Sequence, residues 1–333
     1  MFHSNFVESF LSSFLPRPPG GYRRDVIIGL DVGGTKALGL LVDPADGTIH
    51  GRQKSSSAGD GPTLVRTLAT MVNGLRSDHA ITGIGLGIAG LIDRSGTVRY
   101  SPNLADLVEF PVTAELTAAI GHRVVATNDA TAGTWAEAKL GAGRGCRDFV
   151  YVALGTGIGA GFVINGELVL GSNGFAGEVG HMVIEANGPA HITGQQGPWE
   201  YYASGNALGR LARDAAAAGA FPAAVQRVDS IDSVTGYHVV ELMRSGDSDA
   251  LSIFDGFCKE VALGTSNLVI SLDFGRVVIG GGLADIGEPL RAGVEYWLGE
   301  LLLGREHRPE PEVVLAELGS DAAALGAAYY AIT

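Results

Sequence analysis

The chain has 333 residues, 46% apolar and 18% charged, enough to bury a sizeable core and to form two domains. Its formal charge of −13 and pI near 5.0 oppose attraction to phosphate polymers and anionic lipid, so nucleic acid is not an expected partner. No apolar run approaches the roughly 18 residues of a membrane span, and two cysteines, Cys146 and Cys258, supply neither a disulfide framework nor a Cys-rich metal site, as expected of a reducing, cytoplasmic setting.

Residues 1–24 precede the first expected strand. Phe2, Phe6, Phe10 and Phe14 recur every fourth residue beside Val7, Leu11 and Leu15, which predicts a short amphipathic helix, or else a frayed tail, ahead of the PRPPGG breaker. A basic n-region is missing and Glu8 interrupts the apolar stretch, so a signal peptide is not expected.

Val26–Val42, VIIGLDVGGTKALGLLV, reads as strand, Gly-rich turn, strand, with Gly33 and Gly34 free to take the positive φ of a tight hairpin. The turn offers backbone N–H groups, the Thr35 hydroxyl, the Lys36 ammonium and the Asp31 carboxylate. That inventory suits a nucleotide's phosphates and the Mg²⁺ they carry. Walker and Rossmann loops both run into a helix, whereas a strand follows here, so neither motif applies. On its own the segment reads equally as an ordinary glycine hairpin.

Thr48–Lys54 is the next expected strand. Thr63–Arg76 carries Leu64, Leu68, Met71, Val72 and Leu75 at helical spacing, and Ile81–Gly90 is a buried strand ending in glycines. In Ser101-Pro102-Asn103-Leu104 the proline fixes the backbone, and Asn103 is either a turn residue or a donor and acceptor toward a hydroxyl. His122–Thr127 is a strand, followed by a helix through Leu140. Asp129, between them, either caps that helix or serves as an acceptor toward a reacting hydroxyl.

Phe149–Val163, FVYVALGTGIGAGFV, repeats the order of strand, Gly/Thr turn, strand, which predicts an internally duplicated fold giving one turn from each half to a shared cleft. Gly155, Thr156 and Gly157 allow close approach to phosphate, while Gly159 and Gly161 pack or turn. Glu178 and His181 share a face if their segment is helical, though its two glycines favour a loop. Ala203–Ala218 reads as a helix interrupted near Gly209, Phe221–Gly246 is less periodic, and Ala250–Leu272 is a long helix with Asp247 and Asp249 as capping residues. Arg276–Gly282 is a strand running into glycines, Pro289–Leu303 a helix, Val313–Leu315 a strand and Ala322–Ala331 an Ala-rich helix.

DVGGTK, Asn128-Asp129, GTGIGAG and GEVGHM, in that order, resemble the sugar kinases of the ROK family, within the actin-like, ribonuclease-H-like ATPase superfamily, from about Asp25 to the C-terminus. The resemblance implies a two-lobed α/β fold with duplicated mixed sheets and an interdomain cleft. The final helix would return to the first lobe, giving lobes of 25–132 plus 319–333 and of 133–318. ATP and Mg²⁺ are the implied cofactors. Asp31 would position Mg²⁺ through water, Gly33, Gly34, Thr35, Lys36, Gly155, Thr156 and Gly157 would serve the phosphates, and Gly281 and Gly282 the adenosine. Gly90, Asn103, Asn128, Glu178, His181 and Glu200 would hold the hexose, with Asp129 as general base.

Glucose 6-phosphorylation is the first implied activity, ahead of N-acetylmannosamine, fructose or another hexose; polyphosphate stays open as donor. Small-molecule hexose and ATP are then the partners, with no nucleic acid and no membrane, in a homodimer or homotetramer. Family repressors carry a winged helix-turn-helix that 24 residues cannot hold, which weighs against a sugar sensor without turnover.

Two departures stand out. Ala89-Gly90 replaces the family's usual Pro-Gly. The family's C-x-C-G-x-x-G-C-x-E run, whose cysteines join the histidine of GEVGH around a structural Zn²⁺, is here HITGQQGPWE. His191, Thr193 and Pro198 occupy the cysteine positions, while both glycines and Glu200 match. Threonine and proline cannot complete the S/N ligand set of a closed tetrahedral site, so no structural zinc is expected, with a partial site on His181 and His191 as the lesser alternative. Packing through Trp199, Tyr201 and Tyr202 must then hold the loop, and His181 needs another hydrogen bond to fix its tautomer.

Overall fold

The computed structural model describes residues 25–76 and 79–333, so the N-terminal helix expected before Asp25 lies outside the described residues. The first half consists of β1 (Asp25–Val32), β2 (Lys36–Val42), β3 (Ile49–Ser56), α1 (Gly61–Leu75), β4 (Ala80–Ile88), β5 (Leu91–Ile92), β6 (Val98–Tyr100), α2 (Val112–Ile120), β7 (Val124–Asn128) and α3 (Asp129–Leu140). There follow β8 (Phe149–Leu154), β9 (Ile158–Ile164), β10 (Glu167–Leu168), α4 (Trp199–Ala203), α5 (Gly205–Ala217), α6 (Pro222–Val225), α7 (Gly236–Arg244), α8 (Ser248–Leu272), β11 (Arg276–Gly280), α9 (Glu288–Leu301), β12 (Glu312–Leu315) and α10 (Ala322–Tyr330).

The two large sheets have matching orders, β3-β2-β1-β4-β7 and β10-β9-β8-β11-β12. In each, three antiparallel strands begin with the glycine hairpin and two parallel strands extend the other side. The duplication expected from the paired Gly-Thr turns is therefore present strand for strand. Val26, Ile27, Ile28, Leu30 and Val32 are all buried, as a central strand covered on both faces requires, whereas edge strand β3 alternates between partial and full exposure.

Helices α3 and α10 lack a polar stripe, because both are covered all round. α3 packs on β4 and β7 of one sheet and on β8 and β9 of the other, and α10 packs on β1, β4 and α3. Their small residues let backbones touch. A Cβ added at Gly29 would sit 1.8 Å from the Ala324 carbonyl oxygen, at Gly85 1.7 Å from that of Ala327, and at Gly326 1.7 Å from that of Ala132. α3 runs unbroken across positions 132 and 133, so the lobe boundary expected there falls inside a helix rather than in a loop.

A fully buried Glu137 on α3 accepts N–H bonds from Ala142 at 2.7 Å, Glu317 at 3.1 Å and Leu318 at 3.0 Å, tying the end of α3 to the segment that leads into α10. At the sheet edge, Arg52 makes a two-pronged pair with Asp321 at 2.6 and 2.5 Å. The second half has its own core around Trp199, Phe221, Phe257 and Phe274.

Two expectations change in detail. The interruption placed near Gly209 falls at Ser204, whose hydroxyl accepts from Ala207 N–H and so starts a new helix, α5. Gly209 stays inside α5, where Gly236 at the head of α7 packs 3.6 Å from its absent Cβ. The weakly periodic stretch 221–246 contains α6 and α7, the latter closed by a reciprocal Thr235–His238 cap. Asp247 caps α8 as expected, accepting from Asp249 and Ala250 N–H. No helix among the described residues is long and apolar enough to cross a membrane.

If backbone contact holds α10 on the first sheet, Gly85→Ala should lower unfolding free energy in urea by about 2 kcal/mol or more. Gly299→Ala on α9, where an added Cβ meets nothing within 4 Å, should instead raise it by up to about 1 kcal/mol.

Candidate active site

The C-terminal ends of β1, β4 and β7 lie side by side, with Asp31 opposite Gly87 and Ile88 opposite Asn128. Asp31, Gly90, Asn128 and Asp129 therefore gather at one edge of the first sheet, where open α/β sheets place their ligands. Asn128 takes the capping role that the sequence also allowed for Asp129. Its Oδ1 accepts from Ala130 N–H at 2.8 Å and Thr131 N–H at 3.2 Å, and its Nδ2 donates to the Gly90 carbonyl at 3.1 Å. One N–H of that amide is left for a ligand. Asp129, the next residue, accepts the Ala130 N–H at 2.9 Å through Oδ1.

Burial raises the Asp129 carboxyl above the usual range, with the Ala130 N–H only partly opposing it. Burial and then the charge of Asp129 push Asp31 up to about 7. No cationic side chain among the described residues offsets either acid.

The hairpin turns close through Gly33 N–H to Lys36 O at 3.0 Å and Gly155 N–H to Gly157 O at 2.9 Å. None of Gly33, Gly34, Gly155 and Gly157 has positive φ, which corrects the reading of Gly33-Gly34 as left-handed turn residues. Space is what demands glycine. A Cβ at Gly34 would lie 3.0 Å from the Asn103 carbonyl oxygen, and one at Gly157 would lie 2.2 Å from Glu200 Oε2. Gly33 and Gly155 have no neighbour nearer than 3.8 and 3.9 Å, leaving both turns open on one side. Ser57, which the sequence did not single out, braces the first turn by donating to Gly33 O at 2.6 Å. Thr35 and Lys36 are exposed beside it.

The second turn is held by Gly205 N–H of α5, which donates to Gly155 O at 2.7 Å. Gly281, with φ of 76°, packs on the Leu154 backbone, and Gly282 faces open space, so the glycines after β11 adjoin the same turn. On β9, Gly177 lets its segment close on Ala160, its carbonyl accepting Ala160 N–H at 3.0 Å. The Glu178–His181 stretch is a single 3-10 turn over Val179–His181. Burial raises the Glu178 carboxyl, His181 opposes, and the charges of Asp129 and Glu200 add to the rise. Acids from both halves thus lie within electrostatic reach of one another. Among the described residues His181 Nδ1 and Ser101 Oγ are buried without a partner, so none of those residues supplies the hydrogen bond expected to fix the His181 tautomer. Tyr151 lies behind the acids, its phenol raised by burial and by the charges of Glu137, Asp129 and Asp31. A tyrosine in an apolar strand gives no sequence signal of that place.

Hydrogen bonds and packing close the loop that carries the cysteine replacements. His191 Nδ1 lies 2.9 Å from Thr193 Oγ1 and its Nε2 3.4 Å from Glu200 Oε1, while Glu200 Oε2 accepts from Ile158 N–H at 2.7 Å. Trp199 donates to Glu260 O at 2.9 Å and Tyr202 to Glu185 at 2.5 Å, whereas the Tyr201 ring lies under Arg210. His181 and His191 stand with ring centroids 6.4 Å apart, and among the described residues no three His, Cys, Asp or Glu side chains are grouped to hold a metal. That donor set does not fit a closed zinc site. Asp31, an oxygen donor beside a second uncompensated acid, does fit a hard cation such as Mg²⁺.

Paired mixed sheets around central helices, each giving a glycine hairpin to one acidic site, define the actin-like ATPase class. Within that class the ROK family's sequence model matches residues 27–333, and the chain belongs to the ROK family. It is 35% identical over 309 residues to a glucokinase of Streptomyces coelicolor, covering 90% of this chain and 96% of that one. A glucokinase of Thermotoga maritima is 33% identical over 310 residues, covering 91% and 96%. A solved ROK family glucokinase from Streptomyces griseus, in complex with glucose and AMPPNP, superimposes with a TM-score of 0.81 at 33% identity, over 92% of this chain and 99% of that one.

Burial and the neighbouring Asp129 charge push the Asp31 carboxyl from the usual carboxylate range up to about 7. Its contribution to stability is therefore full below the unfolded value and is lost as pH rises through 7. In metal-free buffer, Asp31→Asn should raise the melting temperature most at about pH 8 and progressively less toward about pH 5; a gain that grew on acidification would contradict this.

Proposed function

We propose that this chain is an ATP-dependent hexose kinase acting first on glucose. The observation that carries the proposal is Asp129: a desolvated carboxylate with no cationic partner among the described residues, beside Asp31 and in the field of Glu178, with a glycine turn on each side of the interface. A sugar hydroxyl is a poor nucleophile. Asp129 takes its proton as the oxygen forms a bond to the γ-phosphorus, the bridging bond to the β-phosphate breaks and ADP leaves. Asp31 would hold Mg²⁺, which when bound supplies positive charge against the phosphates. Positioning does the rest. Both open turns offer backbone N–H groups to phosphate, from Gly34 and Thr35 in the first and Thr156 and Gly157 in the second, while Gly33 and Gly155 close the turns, with Lys36 at the edge of the first and Gly281-Gly282 beside the second.

Asn103, the free N–H of Asn128, Glu178, His181 and Glu200 would hold the hexose around Gly90. The orphaned His181 Nδ1 is a buried polar atom that a sugar hydroxyl can satisfy. The lobes, 25–132 with 319–333 and 133–318, would close on the substrates and exclude water, in a homodimer or homotetramer. N-acetylmannosamine, fructose or another hexose, and polyphosphate as donor, compete within the same chemistry. A coupled ADP-release assay over a sugar panel ranks them by kcat/KM, and absence of sugar-dependent turnover with any donor would favour a sugar sensor instead.

Asp129→Asn keeps the shape of the side chain but cannot accept the proton. It should retain sugar affinity and lose about two orders of magnitude or more in kcat. Near-full kcat in that variant would remove the base assignment.

A further inference from the structure

We propose that His191 is a positioning residue of the sugar site, its imidazole Nε2 set 3.4 Å from Glu200 Oε1 to hold that carboxylate, in a loop whose family motif is built for metal. The proposal rests on the hexose-kinase reading for what Glu200 binds. Its structural basis is independent of that reading.

Glu200 stands in the first turn of the short helix α4, and each carboxylate oxygen faces one donor. Oε2 takes Ile158 N–H at 2.7 Å, at the foot of the second glycine turn, and Oε1 faces His191 Nε2 at 3.4 Å. A carboxylate needs a donor, so Nε2 carries the proton and Nδ1 accepts from the Thr193 hydroxyl at 2.9 Å. The loop is shaped to deliver that imidazole. His191 N–H donates to Gln195 O at 2.7 Å and Gly194 N–H to His191 O at 2.9 Å, closing a tight turn, and Gln195 Nε2 reaches the His181 carbonyl at 3.3 Å. Within this turn Ile192 is 96% exposed while the His191 side chain is only 14% exposed. An apolar residue is left in water and a polar one turned inward, the reverse of what burial alone favours.

The three positions where the family has cysteine thus divide one task. His191 supplies the donor to Glu200, Thr193 orients the ring, and Pro198, with φ of −70°, sets the backbone at the head of α4 next to buried Trp199. Removing the imidazole leaves Oε1 of a half-buried carboxylate facing no donor, free to turn from the sugar, while Oε2 stays pinned at Ile158.

The test compares His191→Ala with His191→Gln, whose amide can still donate. For the alanine variant the expected result is a glucose KM raised about tenfold or more with kcat changed less than about threefold, and ATP KM little altered. His191→Gln should recover glucose KM to within about threefold. Unchanged glucose KM in His191→Ala overturns the proposal, as does a matched loss of kcat and of both KM values in the two variants, which a merely structural role would give. Should His191→Ala fail to fold, Thr193→Val reads the same relay, with a smaller rise in glucose KM expected and an unchanged value overturning it. Loss of wild-type sugar affinity on chelation would also overturn it. Calorimetric titration with glucose reads the same variants without turnover, so a failed kinase reading and a failed positioning role are distinguished.

Discussion

Backbone-on-backbone contact at a few alanines and glycines sets the spacing of everything else. Gly29 and Gly85 admit α10 onto the first sheet, Gly326 admits it against α3, and on the opposite side Gly159 and Gly161 bring β9 within reach of Ala130 and Thr134. α3 therefore acts as a spacer of fixed thickness between the sheets. Its head carries Asp129, and its cap, Asn128, ties that head to Gly90 at the end of β4. A larger side chain at any of these crossings would separate the sheets before it altered a site residue.

That spacing assembles a site of one sign. Asp31 and Asp129 come from the first half, Glu178 and Glu200 from the second, and their mutual influence is carried through desolvated surroundings where charge is weakly screened. A cluster of acids without cations disfavours its own ionisation. Ligands rich in hydroxyl donors, or a divalent cation with its phosphates, supply what the protein withholds. The Glu137 carboxylate, more deeply buried, poses no such problem because three backbone N–H groups satisfy it.

Legibility in the sequence followed range. Strands β1–β4, β7–β9, β11 and β12, both hairpins, α1, α3 and the long α8 were readable because apolar periodicity and capping residues are local signals, whereas the short β5, β6 and β10 were not read. The glycines of the turns were readable as glycines but not for the right reason. Gly34 and Gly157 are demanded by Asn103 and Glu200, whose proximity no local pattern discloses. The break at Ser204 was hidden within an alanine-rich run whose helical character continues on both sides. Ser57, Tyr151 and Glu137 were invisible as site or framework residues, since their partners come from remote segments, as far as 180 positions away for Glu137 and Glu317. At the cysteine-less loop the sequence showed that the family's three cysteines are replaced and pointed to aromatic packing. It did not show a histidine reaching the retained glutamate.

The unbroken course of α3 through the junction has a mechanical corollary. A helix wedged against both sheets, with no clearance at Gly159 and Gly161, blocks sliding and leaves rotation about itself as the soft direction. Asp129 is one residue from Ala130, where the opposing sheet touches, and so sits almost on the axle, while Thr35 and Thr156 ride further out on their hairpins. Rotation of one half against the other would swing the two glycine turns through an arc and leave the Asp129 carboxylate nearly stationary.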